Sequence, residues 1–571
     1  MIDLKWILEN SKENKLSYIL SNISLIFFDS IGFIIPIIIG FIVDRITQEH
    51  NYNYLLLMII GLIIFVIIKQ LGSYFSVIKL DLVVLKITSD LKRTCYKKLN
   101  TLDHYFFEHN NKGELMTNFT SDIGRIRKHL GYNIKTVGAI LISFVCSFIY
   151  LLTINVGFTL TLLTPGILVG VVSYRFLKRI KPEYEKSRDL NAASNDFISD
   201  NIDGVRVVKT FAAESSEIKK MRSINTKWIN KDIENCLIED RFYLSVDFLS
   251  YFMSIIFLLF GGFLFINNKI TMGELIIFNA YLYNLRAPFS RLSGILNSIE
   301  KYGVSKTRIK KLIDSEPKIV LNGTKPLKSL KVPIEFKNVR IVYDNKVVLE
   351  NLNLEINPGE TIAFIGKTGS GKSSIVNLLL GFITPESGEI LIDNHNYLDY
   401  NIKDIRERVG YVTQSSFLFS DTIYNNIRYG AHNITKKDAS KYAKIACCDY
   451  INKLSEGLDT VIGERGVGLS GGEKQRLSLA RALAVKPDIL LLDDITSALD
   501  IETEEKINKS IAKLKFKSTK VIIASKIVSV MNADRIYVLD SGKVVEFGSH
   551  KELLKNKGLY YELYKIQKGE F

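Results

Sequence analysis

The residues Gly366-Lys-Thr-Gly-Ser-Gly-Lys-Ser373 carry the most specific chemistry in the sequence. They follow a short apolar run, Thr361-Ile-Ala-Phe-Ile365, and precede an apolar helical segment from Ser374. Strand, glycine-rich turn and helix N-terminus in that order let backbone N–H groups wrap phosphate oxygens, with Lys372 reaching the outer phosphates and the Ser373 hydroxyl available to magnesium. Gly366, Lys367, Thr368, Gly369, Ser370, Gly371, Lys372, Ser373 and Ser374 are therefore the expected phosphate cradle. A second apolar run, Ile489-Leu-Leu-Leu492, ends in Asp493 and brings a carboxylate to where a phosphate-bound metal is held. Between the two, Leu469-Ser-Gly-Gly-Glu473 opens a helix that runs through Lys474-Gln475-Arg476.

The rest of the chain must position these groups, and much of it is too apolar to do so in water alone. Of 571 residues, 47% are hydrophobic and 24% charged, with mean hydropathy +0.13, so the apolar excess is localised. Residues 18–43, 54–78, 137–154, 156–174, 242–266 and 275–296 each approach the roughly 20 residues that span hydrocarbon. The first lacks a signal-peptide cleavage site and is followed by further spans, which predicts a retained helix. Lys and Arg number 75 against 60 acids, a balance that suits nucleic acid or an anionic membrane face. They concentrate between the second and third spans (Lys86, Arg93, Lys97, Arg125, Lys128) and from Arg175 to Arg241. The other loops carry almost none. Positive-inside logic puts both termini and these two loops in the cytosol, and nucleic acid loses its main support. Both long loops have helical periodicity, so the membrane helices are expected to continue beyond the bilayer. Five cysteines with no C-x-x-C pair indicate neither a disulfide framework nor a zinc site.

The order of cradle, Leu469-Ser-Gly-Gly-Glu473 and Asp493 strand, behind six spans, resembles an ATP-binding-cassette (ABC) exporter half-transporter over essentially the whole chain. The resemblance implies a membrane α-helical domain over 1–315, with six transmembrane helices and long cytosolic extensions. A linker over 316–333 and an α/β P-loop ABC nucleotide-binding domain over 334–571 follow. It implies ATP and Mg2+ as cofactors, with Tyr343 stacking on adenine and Ser373, Gln414 and Asp493 around the metal. Gly463-Glu-Arg-Gly466 resembles the exporter segment before the signature, and Ser497-Ala-Leu-Asp500 the D-loop. Two cassettes in such proteins close head to tail, so Leu469, Ser470, Gly471, Gly472 and Glu473 would serve a partner's ATP. Gly113-Glu-Leu115 and the stretch 204–214 resemble the two intracellular loops.

Two positions depart from that pattern. The family's catalytic glutamate is replaced by Asp494, one methylene shorter, and the following proline by Ile495. Losing a general base within reach commonly removes about 10²–10⁴ in rate. The switch histidine expected after Val521-Ile-Ile-Ala524 is replaced by Ser525 and then Lys526, and none of the seven histidines lies nearby in sequence. A lost donor at developing charge costs about 2.7–4 kcal/mol, by analogy with oxyanion-hole deletions. Both defects fall in one site while the signature is intact, which resembles the degenerate-site subunit of a bacterial heterodimeric multidrug-type exporter. The expected partner is a second, different half-transporter.

Within the spans Asp29, Lys69, Asp247 and Arg286 are ionisable, and each is either a functional group or one half of an interhelical pair such as Asp29 with Lys69. The expected location is the cell membrane, multi-pass, with the nucleotide-binding domain cytosolic, a lipid bilayer around it and a hydrophobic or amphipathic drug, lipid or peptide as cargo. No peptidase segment precedes the first span, so coupled leader cleavage is not expected. The alternative is a nucleotide-gated regulatory or sensory membrane protein without net transport.

Overall fold

The computed structural model describes residues 6, 12–47, 55–319, 321, 323–343, 346–431, 433–463, 466, 468–495, 501–512 and 517–568. They form two compact units, Met1–Leu102 with Asn110–Ser315, and Asp103–His109 with Glu316–Phe571.

The first unit is helical. Among the described residues Lys15–Thr47, Leu55–Leu99, Lys112–Ile154, Val156–Asp203 and Glu214–Ile266 are long and apolar enough to cross a membrane. The sixth expected span lies in the 43-residue helix Met272–Asp314, where Arg286 and Arg291 dilute the apolar run. At about 1.5 Å per residue, the 48-residue helix Val156–Asp203 runs about 70 Å, more than twice the roughly 30 Å of hydrocarbon. Its polar second half therefore extends beyond the bilayer, as the helical periodicity of the loops predicts. Asn155 turns the chain between the third and fourth spans by itself, its side chain accepting the Phe158 N–H at 3.0 Å.

The first helix breaks at Gly32–Phe33, where the Tyr281 hydroxyl donates to the freed Phe33 carbonyl. Asp29 does not pair with Lys69. Its carboxylate accepts from Ser73 of the next helix at 2.8 Å, a neutral partner that satisfies one oxygen. Asp247 is exposed, and the Arg286 Nε is buried without a hydrogen-bond partner. At the far end of the first helix Asp44 accepts from the Thr271 hydroxyl (2.6 Å) and the Gly273 N–H (2.7 Å). Thr271 and Glu274 close a capping box there, so the start of Met272–Asp314 is fixed by three polar side chains.

In the second unit two sheets flank the cradle. In chain order the strands are β1 Ile334–Tyr343, β2 Lys346–Ile356, β3 Thr361–Gly366, β4 Ser387–Ile392, β5 His395–Asn396, β6 Val409–Val412, β7 Ile489–Asp493, β8 Thr519–Ala524, β9 Arg535–Asp540 and β10 Lys543–Gly548. An antiparallel sheet has the order β2-β1-β4-β5, and a mostly parallel one β10-β9-β3-β8-β7-β6. The central strands are apolar throughout because both faces are covered: Ile362, Phe364, Leu491 and Ile523 join one core with Ile375 and Val376, while Leu490 and Leu492 join another. Within the stretch 316–333, Leu327 and Leu330 are buried in the core of this unit.

A Cβ at Gly273 would stand 2.0 Å from the Gly40 carbonyl oxygen and 2.6 Å from the Asp44 carboxylate, whereas one at Gly61 meets nothing within 4 Å. Gly273→Ala should therefore destabilise the chain by about 1–3 kcal/mol, the usual cost of overpacking. Gly61→Ala should leave it unchanged. Thermal unfolding of the two full-length variants in one detergent separates them, and equal midpoints would contradict the close approach.

Candidate nucleotide site

Strand register builds the site. In the parallel sheet β8 lies between β3 and β7, with Ile365 opposite Ala524 and Ile523 opposite Asp493. Gly366, Asp494 and Ser525 therefore leave three neighbouring strands at the same carboxyl edge, the crevice where parallel sheets hold ligands. From Gly366 the chain turns through Gly369 (φ +84°) and Gly371 (φ +98°) into the helix Lys372–Leu379. Gly371 needs its lack of a side chain twice over: its φ is left-handed, and a Cβ would lie 2.5 Å from Leu349 on β2.

Lys372 is nearly buried, its ammonium donating to the Gly366 and Lys367 carbonyls at 2.9 Å each. Burial lowers its pKa, and the facing carboxylates of Asp494 and Asp493 oppose that shift. Asp493 is buried at the end of β7. Desolvation first, and then the neighbouring Asp494, raise its pKa against the pull of Tyr411 and Lys372. The Tyr411 hydroxyl lies 3.5 Å from Asp493, and burial pushes that phenol up to about 12. Gln414 Nε2 reaches Asp494 Oδ2 at 3.4 Å. Asp494 sits at φ +47°, a left-handed conformation that aspartate adopts more readily than longer side chains, and its N–H is tied to the Ile523 carbonyl at 2.8 Å. Lys372, Asp493, Asp494 and Gln414 thus form one cluster.

The fit to a polyphosphate rests on the cradle itself. The Ser370 hydroxyl is buried with no hydrogen-bond partner, and a buried orphan donor is costly unless a ligand meets it. Gly369 and Gly371 open the backbone beside it, with Lys367, Thr368 and Ser373 exposed and Ser374 half-buried at the helix start. Ser525 is exposed beyond β8. Its carbonyl accepts from Gln567 Nε2 at 2.9 Å, and Gln567 Oε1 accepts from the Ile527 N–H at 2.8 Å, so a glutamine of the C-terminal helix holds the backbone on both sides of Lys526.

The signature residues are built into a different core. Ser470 caps the helix Gly471–Ala484 in a reciprocal capping box: the Ser470 N–H donates to Glu473 at 2.7 Å and the Glu473 N–H to the Ser470 hydroxyl at 3.3 Å. The bond from the Ser470 backbone holds the Glu473 carboxyl below the usual range. Leu469 packs against the second hydrophobic cluster, to which Leu477 and Leu483 belong, leaving Gly471 exposed with open space around it and Gly472 half-buried. Ser497–Asp500, Glu464 and Arg465 lie outside the described residues. Tyr343 ends β1, and its hydroxyl is bonded to Glu108. Tyr411, Gln567 and Glu108 are absent from the sequence reading. Tyr411 had a local signal, three residues before Gln414 on a strand beside β7, but nothing local marks the other two.

Lys372→Ala removes the cation of the cradle and leaves the buried Asp493 and the half-buried Asp494 without it. We expect ATP affinity to fall about 100-fold, the size of a lost charged hydrogen bond of about 3 kcal/mol. Titration with a fluorescent ATP analogue checks this, and unchanged binding would remove Lys372 from the site.

Residues 18–289 match the ABC transporter transmembrane region and residues 349–497 the ABC transporter family. The chain is 31% identical to an uncharacterised ABC transporter ATP-binding protein of Bacillus subtilis, over 96% of this chain and 94% of that protein. It is also 31% identical to an ATP-dependent lipid A-core flippase of Syntrophus aciditrophicus (92% and 88% covered) and to a putative multidrug export ATP-binding/permease protein of Staphylococcus aureus (94% and 95%). A solved bacterial Atm1-family ABC exporter with ATP bound superposes with TM-score 0.81 at 26% identity, over 96% of this chain and 98% of the other. With a helical membrane domain, a P-loop cassette and relatives matched over more than nine-tenths of its length, this chain belongs to the ABC transporter family and has the fold of an ABC exporter.

Proposed function

We propose that this chain is one subunit of an asymmetric, ATP-driven exporter in the cell membrane. It binds ATP at a degenerate site of its own and lends an intact signature to the competent site of a different partner chain. The observation that carries this reading is the pairing of Asp494 and Ser525 beyond adjacent strands at one crevice edge, in a chain whose Ser470–Glu473 cap is complete. A short carboxylate held by Gln414 and by its backbone is poorly placed to take a proton from water, and a serine hydroxyl cannot supply the cation of a protonated histidine. Ser373, Asp493 and Gln414 offer hydroxyl, carboxylate and amide oxygens that suit magnesium, which when bound would neutralise phosphate charge. Lys372, the backbone of Gly366–Ser374 and Ser370 bind the phosphates, and Tyr343 stacks on the base. The cargo is a hydrophobic or amphipathic drug, lipid or peptide, in keeping with the multidrug and lipid A-core relatives.

The chain alone, even self-associated, should bind ATP but turn it over hardly at all. Robust ATPase in a verified homodimer, lost in Lys372→Ala, would refute the degenerate site. In the co-purified pair, Ser470→Arg should abolish ATPase by breaking the cap and filling the γ-phosphate position, and unchanged turnover would sink the two-chain assignment. Asp494→Glu with Ser525→His should restore hydrolysis here, read as single-turnover cleavage of labelled ATP with the partner's catalytic glutamate removed. No gain would move the defect to the partner's signature.

A further inference from the structure

Tyr343 closes the β1–β2 hairpin, and in β2 the Val348 carbonyl and the Leu349 side chain crowd Gly371 of the cradle. The base platform and the phosphate cradle are thus linked through one hairpin. The Tyr343 hydroxyl does not face solvent alone: it donates to Glu108 Oε2 at 2.5 Å. Glu108 lies in the short helix His104–His109, which belongs to the compact unit of the cassette although it is separated from it in sequence. Tyr105 meets the Tyr343 ring edge-on at 6.3 Å between centroids, and His109 lies 6.0 Å away at 43°. The short helix is in turn pinned to the cassette. Asp103 accepts the Ile319 N–H at 2.8 Å, the Lys318 ammonium stands 3.9 Å over the Tyr105 ring, and His104 packs on Phe382 at 5.0 Å while approaching Glu108 at 3.1 Å.

A charged acceptor holds a phenol hydroxyl more strongly than a neutral one, and a ring held at its hydroxyl and by two neighbouring rings keeps one orientation. We propose that Glu108 is a positioning residue for the base platform: through the Tyr343 hydroxyl it fixes the ring that stacks on adenine, so that the segment Asp103–His109 sets the preference for a nucleoside triphosphate over a bare polyphosphate. This rests on the reading of Tyr343 as that platform. The segment continues directly from the helix Leu55–Leu99 and into Lys112–Ile154, so displacing it lowers base affinity, and base binding resists its displacement by the same factor.

The test uses the full-length chain and compares equilibrium binding of ATP with that of inorganic tripolyphosphate, which has no base to stack. Glu108→Ala and Tyr343→Phe should each weaken ATP binding about five- to tenfold and leave tripolyphosphate unchanged. The double variant should be no weaker than either single one, since both remove one shared bond. Glu108→Gln keeps an acceptor oxygen and should recover most of the loss. If both single variants leave the ATP-to-tripolyphosphate ratio unchanged while Tyr343→Ala lowers it, the platform stands and Glu108 does not position it. Additive losses in the double variant overturn the proposal as well. If Tyr343→Ala also leaves the ratio unchanged, the platform reading falls and the proposal with it.

Discussion

An ammonium held nearly out of water, with two adjacent carboxylates facing it, is the constraint around which the cassette is arranged. The Gly366 and Lys367 carbonyls accept from the Lys372 ammonium, and Asp494 and Asp493 oppose in part the effect of its burial. Each of those partners demands something of the fold. The carbonyls require the turn through Gly369 and Gly371, and the carboxylates require β7 one strand away from β3 with β8 between them. The apolar interior of those three strands fixes that spacing, since a slipped register would bury Asp493 under the sheet or expose Leu491 and Ile523.

The membrane unit solves the opposite problem with few polar contacts. Apolar side chains gain little from one another in lipid, so association depends on close backbone approach and on well-placed hydrogen bonds. Gly40 against Gly273 supplies the first, and Asp44, Ser73 and Tyr281 supply the second at the ends and the break of the first helix. Asp29 follows the same logic. A serine satisfies its carboxylate locally, so Lys69 is not consumed as its partner.

The departures at Asp494 and Ser525 acquire meaning from their surroundings. Asp494 is gripped by the Ile523 carbonyl and by Gln414 in a left-handed conformation that suits a short side chain, and Gln567 clamps the backbone around Ser525. Both positions are therefore held by specific hydrogen bonds.

The glycine-rich turn from strand into helix, the helix that opens at Leu469–Glu473, the buried strands and the apolar spans were legible because each is encoded by residues contiguous in the chain, where glycine placement and periodicity act over a few positions. The same holds for the missing glutamate and histidine. What the sequence could not reveal is every contact that joins distant segments. Glu108 and Tyr343 are 235 residues apart, Asp44 and Gly273 are 229 apart, and Gln567 meets Ser525 from 42 residues away. The charge pattern allowed Asp29 either Lys69 or another partner, and only helix packing selected Ser73. Local physics fixes which backbone a segment adopts, but which polar groups meet is decided when the elements pack, since each such pair must satisfy hydrogen bonds in a place that no short stretch of sequence specifies.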